Sequence, residues 1–227
     1  MKGRALFAMV LAGTISAFGA TTITSAVWAQ EKTETVAVKV PAGTYQLDPT
    51  HAILLWSYRH NTISNYTGRF DKISATLKLN PADISRSSIS FTADPASVDV
   101  AYPADYKGTH PNSAYASWKE ELARDPQFLN SDNFPKITFT STKVEQTSPT
   151  TAKVTGDLTF LGVTKPLTLD ATFEGAIESH PFMKVPAVGF SAVGTFKRTD
   201  FGQEVGFVGN EVTIRFDGEF IQQLASK

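Results

Sequence analysis

The 227-residue chain carries a net charge of −1 and contains no cysteine, three tryptophans, six tyrosines and sixteen phenylalanines. Without cysteine there is no disulfide, thiol nucleophile, cysteine-ligated metal or cysteine-linked lipid anchor. The near-neutral charge and the lack of a basic patch interleaved with aromatics argue against nucleic acid as a partner.

Residues 1–29 have the layout of a secretory signal peptide. Lys2 and Arg4 open it, an uncharged and mostly apolar run follows from Ala5 to Ala20, and Val27-Trp28-Ala29 forms a small-residue exit before Glu31. Cleavage after Ala29 is expected, and the periplasm is the expected destination. The later half of the uncharged stretch, with Thr21, Thr22, Thr24 and Ser25, is too polar for a good membrane span. Removal of Lys2 and Arg4 would take the net charge from −1 to −3. A polar leader over 30–42 precedes a single domain over 43–227.

Within that domain the dominant signal is period-two alternation, which places one side-chain set on each face of a strand. The pattern predicts strands at Ile53–His60, Gly68–Leu79, Ser87–Ala93, Lys136–Val144 and Ala152–Phe160. Three more follow, at Leu167 to about Glu178, Val188–Phe196 and Glu211–Ile221. In the last of these, Val212, Ile214, Phe216 and Phe220 alternate with Thr213, Arg215, Asp217 and Glu219. The fold class read from this is mainly β. Eight such strands suit a closed antiparallel up-and-down barrel, which leaves no exposed edge.

One stretch departs from the pattern. Ser113 to Arg124 has Tyr115, Trp118 and Leu122 at helical spacing with Ser113 as N-cap. The spacing predicts one short helix within a long connection over 101–130. That connection either plugs one end of the barrel or forms a lid over a ligand, with Tyr115, Trp118 and Leu122 as the lid residues.

The face carrying Leu54, Trp56, Tyr58 and His60 is expected to point inward, because the opposite face ends polar. Phe91, Phe139, Phe160, Phe173, Phe190, Phe196, Ile214 and Phe216 are the matching wall residues from the other strands. An eight-stranded interior holds either its own side chains or one ligand. Ala93, Ala152, Ala171, Ala192, Gly156 and Gly194 are the small residues that would leave room for the latter.

Of four histidines, His51 and His60 fall on opposite faces of a regular strand, and His110 and His180 each precede proline in a loop. A converging metal set is not expected. No Gly-x-Ser-x-Gly elbow and no Gly-rich phosphate loop is present, so no catalytic set is legible. Arg198 is either half of a local pair with Asp200 or a ligand-facing cation.

Several motifs occur in a fixed order. These are Tyr45-Gln-Leu-Asp48, His51, His60, Gly68-Arg-Phe70, Ser97-Val-Asp99 and Phe134-Pro-Lys-Ile-Thr-Phe139. Gly156-Asp-Leu-Thr-Phe-Leu-Gly162-Val-Thr-Lys-Pro-Leu-Thr-Leu169 and Arg198-Thr-Asp-Phe-Gly202 complete the series. On them the chain resembles the YceI family of periplasmic polyisoprenoid-binding proteins from about Tyr45 to Gln222. The resemblance implies a lipocalin-like barrel around a polyisoprenoid, quinone-like or other long-chain lipid, without catalytic chemistry or cofactor. It leaves transient membrane contact and a dimer open. Phe128-Leu129 stands where family members often carry His-Leu, and Leu161 where a histidine often precedes the Gly-Val-Thr-Lys-Pro turn. The alternatives are a barrel filled by its own side chains and an enzyme with His60 as base.

Overall fold

The computed structural model describes residues 40–206 and 208–223. The expected signal peptide, and the leader up to residue 39, lie outside the described residues. The described residues form ten strands and two short α-helices: β1 Gly43–His60, β2 Ser64–Phe70, β3 Ile73–Leu79, β4 Ser88–Ala93, β5 Val98–Asp99, α1 Tyr106–Thr109 and α2 Trp118–Arg124. β6 Ile137–Gln146, β7 Thr151–Phe160, β8 Val163–Ile177, β9 Ala187–Lys197 and β10 Val208–Gln222 follow.

All strand pairings are antiparallel. Around the sheet the order is β10-β9-β8-β7-β6-β4-β3-β1, and a β10–β1 pairing closes it. The barrel therefore has eight staves, with β2 and β5 as an added flap on β1. Closure gives each of the eight a partner strand on both sides, so none is an edge strand. This is the mainly β, eight-stranded barrel that the alternation predicts.

Two strands differ from the sequence expectation. The run from Gly68 to Leu79 is broken at Asp71 and Lys72, whose amides donate to Ser97 O and Ser97 Oγ at 3.0 and 2.9 Å. Those bonds pull the backbone out of the ladder. β1 then pairs with β2 along its second half, Leu54↔Phe70 to His60↔Ser64, and with β3 along its first, Gly43↔Leu79 to Gln46↔Thr76. β1 also starts ten residues before Ile53. Alternation is lost between Leu47 and Ala52, where the register with β10 shifts. There Asp48 accepts from the Thr50 amide at 2.9 Å, from its hydroxyl at 2.6 Å and, at 2.8 Å, hydrogen-bonds His51 Nδ1. A local polar knot hides a continuous strand.

The β1–β2 hairpin turns through Asn61 and Thr62, both left-handed at φ 49° and 60°. Two positive φ values in succession match the right-handed twist of the flanking strands, but a β-branched residue there is strained. Thr62 is exposed. Thr62→Gly is accordingly expected to raise stability by about 0.5–1 kcal/mol, seen as a higher melting temperature with unchanged far-ultraviolet circular dichroism.

Chain direction places the loops at two ends. The β1–β2 and β7–β8 hairpins, the turn over 198–206 and the connection over 100–136 share one end. The β3–β4 turn, the β6–β7 turn and the β8–β9 loop share the other. The connection carries two helices rather than one, and α2 begins at Trp118, not Ser113. Ser117 is extended at φ −150° and ψ 159°, and its hydroxyl accepts from the Glu120 amide. An N-cap in that conformation ends any helix on its amino side. Ser113 instead accepts from the Tyr106 hydroxyl at 2.7 Å.

Candidate functional site: a cavity through the barrel

Packing inside the barrel is incomplete. A cavity of about 280 Å³ runs between the two ends. Leu54, Trp56 and Tyr58 of β1 line it, so the face predicted to point inward does so. Phe91, Phe139, Phe160, Phe190, Phe196, Ile214 and Phe216 also line it. The rings brace one another: Phe91 meets Phe216 edge-on at 5.7 Å between centroids, and Phe160 meets Phe196 at 6.1 Å. Edge-to-face contacts of this kind hold a wall in shape without filling the space it encloses.

His60 and Phe173 of the predicted wall are not on the cavity. His60 is the last residue of β1, against Ser64 and near the Tyr66 ring, beyond where the wall ends. Phe173 sits beside a register shift between Phe173 and Gly175 and packs on Phe190 at 5.5 Å. It pairs directly with Phe190 on the inward face and packs into the core around Val188 and Phe220, so it fills space there and does not line the cavity.

The lid residues divide as well. Leu122, buried, lines the cavity. Trp118 stands behind it, donating from Nε1 to the Tyr66 hydroxyl at 2.8 Å and meeting Phe128 edge-on at 5.4 Å. Tyr115 precedes the helix and joins Glu121 and Asp125 in a shallow surface pocket instead. The helical spacing of the three is misleading because the first of them is not in the helix. Phe128 and Leu129 supply the remaining contact of the connection with the cavity.

The room comes from fewer small residues than expected. Ala152, Ala171 and Ala192 are on the cavity. Gly156 and Gly194 are covered: a Cβ on Gly156 would lie 2.6 Å from the Phe139 ring, and one on Gly194 would lie 2.4 Å from Leu169 Cδ2. Ala93 is fully buried in packed core. A small residue leaves room only when no cross-strand neighbour folds over it.

Polarity concentrates at the connection end. Arg198, the first residue of a 3₁₀ turn after β9, is 7 % exposed and lines the cavity. Its Nε donates to Gln203 Oε1 at 3.0 Å and its Nη1 to Val208 O at 3.4 Å. Gln203 Nε2 in turn donates to Phe128 O at 2.8 Å, which ties the turn to the connection. Among the described residues no carboxylate pairs with Arg198, and the pair with Asp200 weighed from sequence is not formed. Burial pushes the guanidinium below its ordinary pKa, with the neighbouring Tyr58 opposing.

Tyr58 is pushed up to about 12, first by burial, then by Tyr66, with Arg198 pulling the other way. Its hydroxyl has no hydrogen-bond partner among the described residues. Trp56, stacked on Tyr58 at 5.5 Å, keeps a buried Nε1–H that also lacks an acceptor. This end of the cavity thus carries a nearly buried cation without a counter-charge, an arrangement suited to an acceptor-bearing group. Gln203 and Arg198 were not placed together by sequence reasoning; the Arg198–Gln203 spacing of five across a turn carried no periodic signal.

Metal ligation has little to work with. Among the described residues no three histidine, aspartate or glutamate side chains converge. His51 is exposed beside Asp48, and His180 is buried in the β8–β9 loop at the other end.

Residues 45–220 match the YceI-like domain. A UPF0312 protein of Pseudomonas fluorescens is 32 % identical over 173 residues, 73 % of this chain and 79 % of that protein. Protein YceI of Salmonella newport is 30 % identical over 186 residues, 80 % of this chain and 88 % of that one. Among solved structures, Campylobacter jejuni YceI superposes with a TM-score of 0.59 at 26 % identity, covering 71 % of this chain and 88 % of its own. A polyisoprenoid binding domain from Saccharophagus degradans shares the fold at a TM-score of 0.56 and 14 % identity, over 81 % of this chain and all of that one. The fold, the order of the motifs and these likenesses agree, and the chain belongs to the YceI-like domain family.

Proposed function

We propose that this protein is an exported lipid carrier that holds a long, polyisoprenoid-like tail inside the barrel and performs no chemistry on it. The observation that carries the reading is the apolar cavity that reaches both ends of the barrel, with the nearly buried Arg198, without a counter-charge among the described residues, at the connection end. The tail would lie along the phenylalanine wall, and an acceptor-bearing head group would meet Arg198 and Tyr58 beneath the connection. The neighbour from Saccharophagus degradans, described as polyisoprenoid-binding, supports the ligand class. The signal-peptide layout of residues 1–29 supports export to the periplasm.

Magnitudes favour a tail over a small solute. Burying one methylene contributes roughly 0.8 kcal/mol, so each five-carbon unit adds about 4 kcal/mol before ordering costs. A few units therefore suffice for tight retention, and the ceiling on non-covalent affinity means later ones add little. Retention through purification follows. Protein isolated natively from a periplasmic fraction is expected to release a long-chain lipid at near one-to-one stoichiometry on organic extraction, measured by mass spectrometry. A barrel that releases no lipid and takes none up would instead be structural.

A further inference from the structure

The β8–β9 loop, Glu178 to Pro186, holds the most exposed large apolar side chain of the described residues. Phe182 is 85 % exposed and the adjacent Met183 61 %, with Ile177 at the loop's base 43 % exposed. Side chains of this size are normally folded away where a loop is free to do so. This loop is not free. The His180 amide donates to Val185 O at 2.7 Å and the Lys184 amide to His180 O at 2.9 Å, with Lys184 left-handed at φ 58°. Inside that turn His180 is 7 % exposed, and its Nδ1 accepts from the Phe182 and Met183 amides at 3.4 and 3.3 Å. A buried imidazole staples the two backbone positions whose side chains then have only solvent to face.

We infer that Phe182 and Met183 form a short finger that dips into a lipid surface, docking the β8–β9 end of the barrel on a membrane. Three observations favour lipid over a protein partner. The first is area: the two side chains expose on the order of 300 Å², far below the roughly 800 Å² per partner of a stable protein interface. The second is shape, since they project from a turn rather than line a groove. The third is charge. Glu178 and Lys184 are the only charged residues between Ile177 and Pro186, so the loop is neutral and has no electrostatic partner to seek. Bulky apolar residues in a shallow, uncharged tip suit weak, reversible insertion at a membrane interface.

Position gives the finger a use, which rests on the carrier reading above. The cavity reaches this end, where Ile84 and Ser87 of the β3–β4 turn line it. A ligand with its head group at Arg198 has its tail pointing here. Docking at this end would pass the tail directly into the acyl phase, with no stretch of it crossing water.

The test is co-flotation of the mature protein with phosphatidylcholine vesicles at low and high salt. Wild type is expected to float in part, equally at both ionic strengths. The double variant Phe182→Ser, Met183→Ser is expected to lose roughly tenfold or more of the bound fraction, with an unchanged melting temperature because neither side chain is packed. As a second variant, Phe182→Trp should float like wild type and show a blue-shifted emission on vesicle addition. Equal flotation of wild type and double variant, or no flotation of wild type, overturns the finger. Binding that vanishes at high salt overturns it too, since charge would then be the cause. A concentration-dependent dimer abolished by the double variant would also overturn it, in favour of contact between two copies. Extractable lipid without flotation refutes the finger and leaves the carrier; flotation through Phe182 of a barrel that never holds lipid refutes the carrier.

Discussion

Phe216→Asp is expected to empty the cavity and to bring the barrel close to unfolding. Phe216 sits where two of the three core clusters meet, edge-on to Phe91 at 5.7 Å and tilted against Phe220 at 6.0 Å. Phe216 is half-buried and lines the cavity, so truncating it alone costs at most the roughly 3–5 kcal/mol of a core phenylalanine. An aspartate adds an unpaired charge in an apolar cavity, which is worse still unless the carboxyl stays protonated. Against a total stability of about 5–15 kcal/mol, that is a large share. Guanidinium melts should show the midpoint displaced accordingly, and extraction should recover little lipid from whatever remains folded.

Such a variant cannot separate binding from folding, so Phe216→Leu is the informative companion. It changes the shape of the wall without changing its polarity, at about 1–2 kcal/mol. Lipid from this variant is expected to be retained with an altered chain-length profile, because depth and width of the cavity select the tail. An identical profile would mean that the wall at Phe216 does not touch the ligand. Any lipid-retaining Phe216→Asp protein with a wild-type melt would contradict the placement of this ring altogether.

The sequence disclosed the barrel because the alternation is strong wherever one face is dry. Val212, Ile214, Phe216 and Phe220 could have faced only inward together. It failed where backbone polar groups found partners other than a strand. Asp48, Thr50 and His51 bond among themselves and conceal the first half of β1. Ser97 captures the amides of Asp71 and Lys72 and splits one expected strand in two. Helical spacing from Tyr115 to Leu122 was real as a pattern, but Ser117 in an extended conformation cut it short. Which face a residue occupies follows from parity; whether its space is filled does not. Gly156 and Gly194 read as open space and are closed by Phe139 and Leu169. Arg198 was ambiguous for a similar reason: an Arg-x-Asp turn looks the same in sequence whether the guanidinium turns toward its own carboxylate or into the barrel.

Replacing that arginine should separate stability from recognition. Arg198 is a nearly buried cation whose partners are an amide oxygen and a backbone carbonyl, with no anion among the described residues. Desolvation of such a charge is repaid only when a counter-charge arrives. Arg198→Met keeps the apolar stem and removes the cation. The ligand-free variant is therefore expected to melt at the same temperature as wild type or higher, despite the lost bond to Gln203. Ligand binding should move the other way. Hydrogen bonds to a charged group contribute about 1.5–3 kcal/mol, which is roughly 10–100-fold in affinity. Wild type should prefer a prenyl phosphate over the prenyl alcohol of equal chain length by about that factor. Arg198→Met should bind the two alike while holding the alcohol as well as wild type does, and Arg198→Lys should recover part of the preference. Competition between the two lipids, read by mass spectrometry beside melts of the delipidated proteins, supplies both numbers. An unchanged phosphate-to-alcohol ratio in Arg198→Met would remove the head group from this end of the barrel. A sharp loss of stability in the delipidated variant would make Arg198 a strut between the turn over 198–206 and the connection, held there by Gln203 and Phe128 O.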